Sequence, residues 1–516
     1  MDQSTVPFTF SSCLIRWSSR IGLGLVFGYC LLASIFYSYF AQIHLSLSFL
    51  HFPIFIGEIV MGLCVLLLSV ACKDGRSFTR RTTLLLGLYF GWVGVRALVD
   101  YHHDGPLALR NAALFYYPVF AVFGYVFYQK SKLPRNVLTA LALLAAGVLL
   151  FKFMMIWYWW TYVSLFAIAL CQTKSAQWRW LGWVFLAAIV LLGKDYLFNG
   201  PRAHFVSIFG SGVFLVFYFG AVLAKRRDLI VLRVLLISFL FFIIGFIVFS
   251  NRNAAFSVMS IQKMIDTYQG FDFRYQLKQA RFAPQKLPVR LYNPKNIADV
   301  YPSSPGTTSG ATGAATNHPE EPQLAIFPPA VSPVAAPAAA KDKGTDVLSY
   351  WLKNVQHSPV IEKRSLALNE INIVFRLFVW RDMARELIER QAWWGFSFGH
   401  PQRSRSLEVL GWAKPQWSRD GWITPHNSFF HIIYRAGILG VFLIGILFSI
   451  LYRIVADFFN LNSIEGGFLV GALVYWLIAS NFFVILEFPY NAIVFWSLFG
   501  ITLAYRDGLK QRDHEK

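Results

Sequence analysis

Charge is what this sequence has least of. Only 14% of its 516 residues are charged and 56% are hydrophobic, where an ordinary soluble domain carries roughly 25% charged residues. That balance excludes a soluble globule and points to a polytopic membrane protein. Acidic residues are the scarcer sign, 27 against 47 Lys and Arg. No basic stretch is interleaved with aromatics, so the net charge of +20 is no nucleic-acid signal. Cysteine is sparse too. Cys13, Cys30, Cys64, Cys72 and Cys171 all fall in or beside early apolar segments, which leaves the later chain without a disulfide framework.

Several chemical signatures are also missing. No Cys/His spacing resembles a zinc site. There is no P-loop, no Gly-x-Ser-x-Gly elbow and no convincing Asp-x-Asp motif in an outer loop. ATP, nucleotide sugars and serine-hydrolase chemistry are therefore not expected, and neither a metal nor another cofactor is implied. The sequence shows no internal repeat. Its first twenty residues carry no small-residue cleavage site, and read as a short cytoplasmic tail leading into a signal anchor.

What is present is a series of apolar runs. About twelve approach the ~20 residues a bilayer requires, at 21–40, 53–72, 82–100, 110–128, 136–156, 158–173, 178–194, 203–224, 231–250, 437–457, 466–485 and 489–505. The fold class is thus all-α and polytopic, with about twelve transmembrane helices. Lys73, Arg76, Arg80 and Arg81, then Lys130, Lys132 and Arg135, Lys174 and Arg179, Lys225 to Arg233, and Arg453 recur in alternate loops. By the positive-inside rule those loops and both termini are cytoplasmic. The chain divides into nine spans within 1–250, one large outer loop at 251–436, and three spans with a cytoplasmic tail at 437–516. Within the loop, 303–345 is rich in Pro, Ala, Gly, Ser and Thr and reads as a flexible insertion. Residues 256–282 read as a basic helix and 367–394 as an amphipathic one.

The loop closes on Thr-Pro-His-Asn-Ser, with His426 and Asn427 followed after nine residues by Gly437-Ile-Leu-Gly440. An imidazole at a membrane surface can take a proton from a hydroxyl near neutral pH. The competing role is helix capping, at which Pro-His-Asn-Ser is well suited. Arg376 shares its helical stripe with Trp380, Met383 and Leu387, opposite Arg381, Arg385 and Glu389. A guanidinium set among apolar residues needs an anion, either a phosphate or a structural partner such as Glu370 or Glu386. The turn at 393–399, Trp-Trp-Gly-Phe-Ser-Phe-Gly, has glycines that let a backbone approach a ligand closely. Arg202 follows Gly200 and Pro201 at the outer mouth of a span, as a phosphate binder or a snorkelling anchor. His204, His400 and His431 lie near these groups in sequence, and His431 is expected to face elsewhere. Glu58, Arg96 and Lys152 stand within apolar segments and keep a transporter reading open, although Glu58 pairing with Arg96 would account for two of them. A third class is a scaffold that binds partners through the flexible insertion.

Together, His426-Asn427 with Gly437 and Gly440, Arg376-x-x-x-Trp380 with its Gly-rich turn, and the Pro-Arg-Ala-His-Phe run at Arg202 resemble the O-antigen ligase and O-antigen polymerase superfamily of bacterial envelope glycosyltransferases. The resemblance implies a GT-C-like helical bundle in the bacterial inner membrane, with its active site facing the periplasm. It implies that His426 is catalytic and that Arg202 and Arg376 hold the donor diphosphate, with Asn427, Gly437 and Gly440 supporting. It further implies an undecaprenyl-diphosphate-linked glycan as donor and lipid A-core or a second glycan as acceptor, with membrane lipids as surroundings. Ligase, polymerase and protein oligosaccharyltransferase remain alternatives. The Pro/Ala-rich insertion departs from the compact loop of that family.

Overall fold

The computed structural model describes residues 10–36, 38–41, 43–46, 53–73, 78–131, 156–172, 202–225, 365–410 and 423–515. Among them helix dominates, as apolar runs with few breakers require. The order is α1 (Phe10–Phe36), α2 (Ser38–Ala41), strands β1 (His44–Ser46) and β2 (Pro53–Phe55), α3 (Ile56–Ala71), α4 (Arg80–Asp104), α5 (Pro106–Tyr116) and α6 (Val119–Ser131). Then come α7 (Ile156–Gln172), α8 (Arg202–Lys225), α9 (Ser365–Glu389), α10 (Arg405–Leu410), α11 (Ser428–Asn460), α12 (Ile464–Ala479) and α13 (Pro489–His514). The two strands pair antiparallel, with His44 opposite Phe55.

Four helices are long and apolar enough to cross a membrane: Cys13–Phe36, Arg80–Asp104, Val206–Lys225 and Ser428–Asn460. A fifth joins them if α5 and α6 count as one broken span. This is the build of a helical membrane protein, with four to five such spans among the described residues. The segments expected at 136–156, 178–194 and 231–250, the basic helix at 256–282, the insertion at 303–345 and Lys152 lie outside the described residues. The single span expected at 110–128 is divided, with a bend of 41° between α5 and α6. Pro118 is the cause, since it has no N–H to continue the ladder and its ring crowds the preceding turn. The amide of Tyr117 closes α5 on the Ala113 carbonyl, and Phe120 starts again from Tyr117.

The chain separates into two compact units. One holds Met1–Phe249, Ala384–His400 and Thr424–Lys516, and the other holds Ser250–Met383 and Pro401–Ile423. Residues 384–400 and 424–436, which hydropathy assigns to the outer loop, thus pack with the helices. In the first unit α6 and α13 cross at very close range. A Cβ on Gly124 would stand 2.5 Å from the Ser497 carbonyl, and one on Gly500 would overlap the Ala121 carbonyl. Small residues at such crossings let membrane helices pack backbone to backbone. Buried side chains tie other helices together: Trp476 Nε1 donates to Thr161 Oγ1 at 2.8 Å, and Tyr218 Oη donates to the Ser463 carbonyl at 2.8 Å.

In the second unit the buried stripe of α9 is Val374, Phe375, Phe378, Val379 and Met383, with Arg376 half-buried beside it. Asp382 accepts from the Ser404 hydroxyl and from both the amide and hydroxyl of Ser406, fixing the start of α10.

Candidate active site

The start of α11 is a rigid corner. His426 has φ 50, a left-handed conformation that few non-glycine residues hold. Asn427 then extends, and its side-chain oxygen accepts from the Phe430 amide at 2.9 Å. Ser428 makes three further bonds. Its amide donates to the Ser480 carbonyl at 2.8 Å, its hydroxyl donates to the Phe483 carbonyl at 3.1 Å, and the same oxygen accepts from the Leu486 amide at 3.1 Å. The first turn of the helix is therefore fastened to the connection between α12 and α13. His426 sits half-buried immediately before the fastening. Its backbone carries strain of about 1–3 kcal/mol, which surrounding contacts must hold in place.

One turn further, His431 and Arg435 lie on the same face at i and i+4. His431 Nδ1 is 3.0 Å from Glu487 Oε2, and Arg435 Nε donates to His431 Nε2 at 3.2 Å. A guanidinium has no acceptor atom, so His431 Nε2 must be the unprotonated nitrogen and Nδ1 carries the proton toward Glu487. A neutral imidazole thus bridges a cation and an anion, all three buried. Burial pushes the Glu487 carboxyl up, but the groups around it, His431 first and then Arg110 and Arg435, outweigh burial and hold the carboxyl below its usual range. His431 is the centre of this chain, bonded to Glu487 and Arg435.

The turn at 393–400 is bonded on nearly every polar group. Arg435 Nη1 donates to the carbonyls of Ser397 at 2.6 Å and His400 at 2.7 Å. Arg96 Nη2 donates to the Phe396 carbonyl at 2.8 Å, with its guanidinium over the Phe398 ring. Asp100 accepts from the Phe398 amide at 2.7 Å, and Asn111 donates to the Phe398 carbonyl at 2.6 Å. The Ser397 hydroxyl donates to Asp104 at 2.6 Å. Arg96, Asp100 and Asp104 recur every four residues, so one face of α4 reads the turn.

The two glycines that stand out in this region meet each other. Gly437 breaks the helix with φ 56 and ψ −132, and Gly395 has φ 75. There the Phe396 amide donates to the Tyr434 carbonyl at 2.9 Å and the Ile438 amide to the Trp393 carbonyl at 2.8 Å. A Cβ on Gly437 would overlap the Trp393 carbonyl, and one on Gly395 would overlap the backbone of Arg435. The close approach expected of this turn is thus made to another backbone. Gly440 fills a similar role, since its Cβ would stand 2.7 Å from the Ile432 carbonyl.

A second acid–base cluster borders the turn. Glu386 Oε1 is 3.0 Å from His400 Nε2, and Glu386 Oε2 accepts from the Tyr434 hydroxyl at 2.6 Å. Arg390 stands 3.3 Å away. Burial works to raise the Glu386 carboxyl, but the hydrogen bonds from His400 and Tyr434 and the nearby charges prevail and lower it. Elsewhere, the expected Glu58–Arg96 pair is not formed. Glu58 Oε1 accepts from the hydroxyls of Tyr116 at 2.8 Å and Tyr117 at 2.7 Å, while Arg96 faces Asp100 at 3.5 Å.

Of the residues singled out from sequence, His426 and Asn427 stand at the start of α11 with Asn427 as its cap, while Gly437 marks the break within that helix and Gly440 lies just beyond it. Arg202 is the first residue of α8, in the same unit as His426. Arg376 belongs to the second unit, where burial lowers its pKa by disfavouring the charged guanidinium. His204 is buried and bonds Tyr475 at 2.8 Å. The residues missed by sequence reading are Arg435, Glu487, Asp100, Asp104 and Asn111. An acid or base inside an apolar run was the available signal for Asp100, Arg435 and Glu487. Among the described residues no group of three His, Cys, Asp or Glu side chains could hold a metal ion. No protein-family model, curated protein or solved structure matches this chain.

Proposed function

We propose that this chain is a glycosyltransferase of the O-antigen ligase type, working without a metal at the periplasmic face of a bacterial inner membrane. The observation that carries the reading is His426, a half-buried histidine whose left-handed backbone stands at the start of α11, immediately before the Asn427 cap and the three bonds of Ser428. The donor is a glycan on an undecaprenyl diphosphate, and the acceptor is a hydroxyl of lipid A-core or of another glycan. The acceptor oxygen attacks the anomeric carbon as the bond from that carbon to the diphosphate breaks. The hydroxyl proton passes to the His426 imidazole, and the lipid diphosphate leaves with the bonding pair. Configuration at the carbon inverts. Arg202 and Arg376 would neutralise charge growing on the leaving group, where fixed cations act most strongly.

The polymerase alternative uses the same chemistry with a second lipid-linked repeat as acceptor. Transport is less favoured because two of the three groups that suggested it have structural partners, Glu58 with two tyrosines and Arg96 with the 393–400 turn. The test is a gel profile of surface and lipid-linked glycans from cells lacking the chain, complemented with wild type or His426→Ala. Long glycan accumulating on the carrier with the variant identifies a ligase, and surface glycan shortened to single repeats identifies a polymerase. A wild-type profile with His426→Ala overturns the catalytic assignment.

A further inference from the structure

Two helices of the first unit carry exposed apolar stripes that mark where lipid touches them. On α4 these are Leu84, Leu85, Leu88, Val95, Leu98 and Val99, and on α11 they are Ile438, Val441, Phe442, Ile446, Phe448 and Tyr452. At 100° per residue each set falls on one side of its helix. Each stripe is about 21–23 Å tall at 1.5 Å per residue, most of the ~30 Å hydrocarbon thickness. One end of each is basic: Arg80 and Arg81 precede the α4 stripe and Arg453 follows that of α11. The other ends, near Val99 and Ile438, meet at the 393–400 turn, because Arg96 donates to the Phe396 carbonyl and the Ile438 amide to the Trp393 carbonyl.

At that level the surface changes character. Trp393 is 58% exposed, Trp394 74% and Ile388 67%. Arg385 and Arg390 flank them with more than half of each side chain in the open, each with its Nε on a carboxylate of the same helix face, Arg385 to Glu389 at 2.9 Å and Arg390 to Glu386 at 3.3 Å. Nothing about the turn's own fold needs two bare indoles, since its hydrogen bonds run through backbone, Ser397 and the groups of α4 and α11. Indole is amphipathic and concentrates at the boundary between acyl chains and headgroups, and Arg beside it reaches lipid phosphate.

We propose that Trp393, Trp394 and Ile388 form a lipid-contact surface seated in the headgroup layer of the leaflet opposite Arg80, Arg81 and Arg453, with Arg385 and Arg390 facing phospholipid phosphates. The inference rests on the membrane-spanning character of α4 and α11, not on the glycosyltransferase reading, so either can fail alone. One consequence is that the hydrogen-bonded turn joining Arg96, Asp100 and Arg435 lies at the level of the lipid headgroups.

The test uses the full chain with its five native cysteines replaced, in nanodiscs of phosphatidylcholine and phosphatidylglycerol. Spin labels are placed one at a time at Trp394→Cys, Leu88→Cys and His103→Cys, and collision with oxygen is compared with collision with a water-soluble nickel chelate. The expected ordering is Leu88 deep, His103 aqueous and Trp394 between them. Trp393→Phe with Trp394→Phe, which leaves every backbone bond of the turn in place, should reduce quenching of protein fluorescence by lipids brominated near the headgroup. A label at Trp394 as aqueous as that at His103 overturns the proposal and assigns the indoles to a soluble partner. One as deep as Leu88 also overturns it, by placing the turn in hydrocarbon.

Discussion

Replacing Arg435 by Met should be among the most damaging single changes in this protein. The guanidinium makes two short bonds to the carbonyls of Ser397 and His400 and a third to His431, and through His431 it balances Glu487. Hydrogen bonds to a charged group contribute about 1.5–3 kcal/mol each. Breaking a buried ion pair from one side costs about 3–5 kcal/mol, because the other charge is left stranded. The contributions overlap, so we expect about 3–5 kcal/mol in all, a loss of roughly 150- to 5000-fold in the folded-to-unfolded ratio. The double variant with Glu487→Gln removes the stranded anion. It should recover part of the loss and leave about 1–3 kcal/mol from orphaned carbonyls. The assay is reversible unfolding in mixed micelles with increasing denaturing detergent, alongside hydrogen exchange at the amides of 396–400. A single variant within about 0.5 kcal/mol of wild type, or a double variant equal to the sum of the two singles, would refute the reasoning.

Gly437→Ala should destabilise by about 2–4 kcal/mol, through left-handed strain and collision with the Trp393 carbonyl. Gly445→Ala in the same helix, with open space at its Cβ, should be neutral or stabilise by about 0.5–1 kcal/mol; equal effects from the two, read as shifts in melting temperature, would contradict the packing described. Asn427→Ala should cost about 1 kcal/mol as a lost cap while Asn427→Asp is tolerated, with stability and transferase activity measured on both. Glu386 has a lowered carboxyl, so its contribution is present above the ordinary value of 4.5 and is lost as pH falls through the lower folded value. Melting measured from pH 6 downward should therefore fall less steeply in Glu386→Gln than in wild type, and identical slopes would count against the pairing with His400 and Tyr434.

Much of this architecture is legible in the sequence because hydropathy reports directly on which surfaces meet lipid. The helical class and the start of α11 at Asn427 both follow from local pattern. The break at Tyr117–Pro118 was also local, yet the apolar run on both sides of Pro118 masked it. What could not be read was partnership at long range. Arg96, Asp100 and Asp104 stand at helical spacing in the sequence, but the turn they bind lies almost 300 residues later. Gly395 invited a close approach and Gly437 marked a motif, and only the structure pairs them with each other. Arg435 was hidden for the same reason, since an arginine in an apolar run names no partner until the carbonyls of 397 and 400 are brought to it.

The central claim is that His426 takes the acceptor proton during transfer from a lipid diphosphate. The direct test is the purified chain in nanodiscs with an undecaprenyl-diphosphate glycan and a hydroxyl acceptor, following release of the free lipid diphosphate. Wild type should release it only when acceptor is present. His426→Ala should lose about 100-fold or more in rate while Asn427→Asp, which keeps the cap, stays active. Equal release by wild type and His426→Ala would contradict the account.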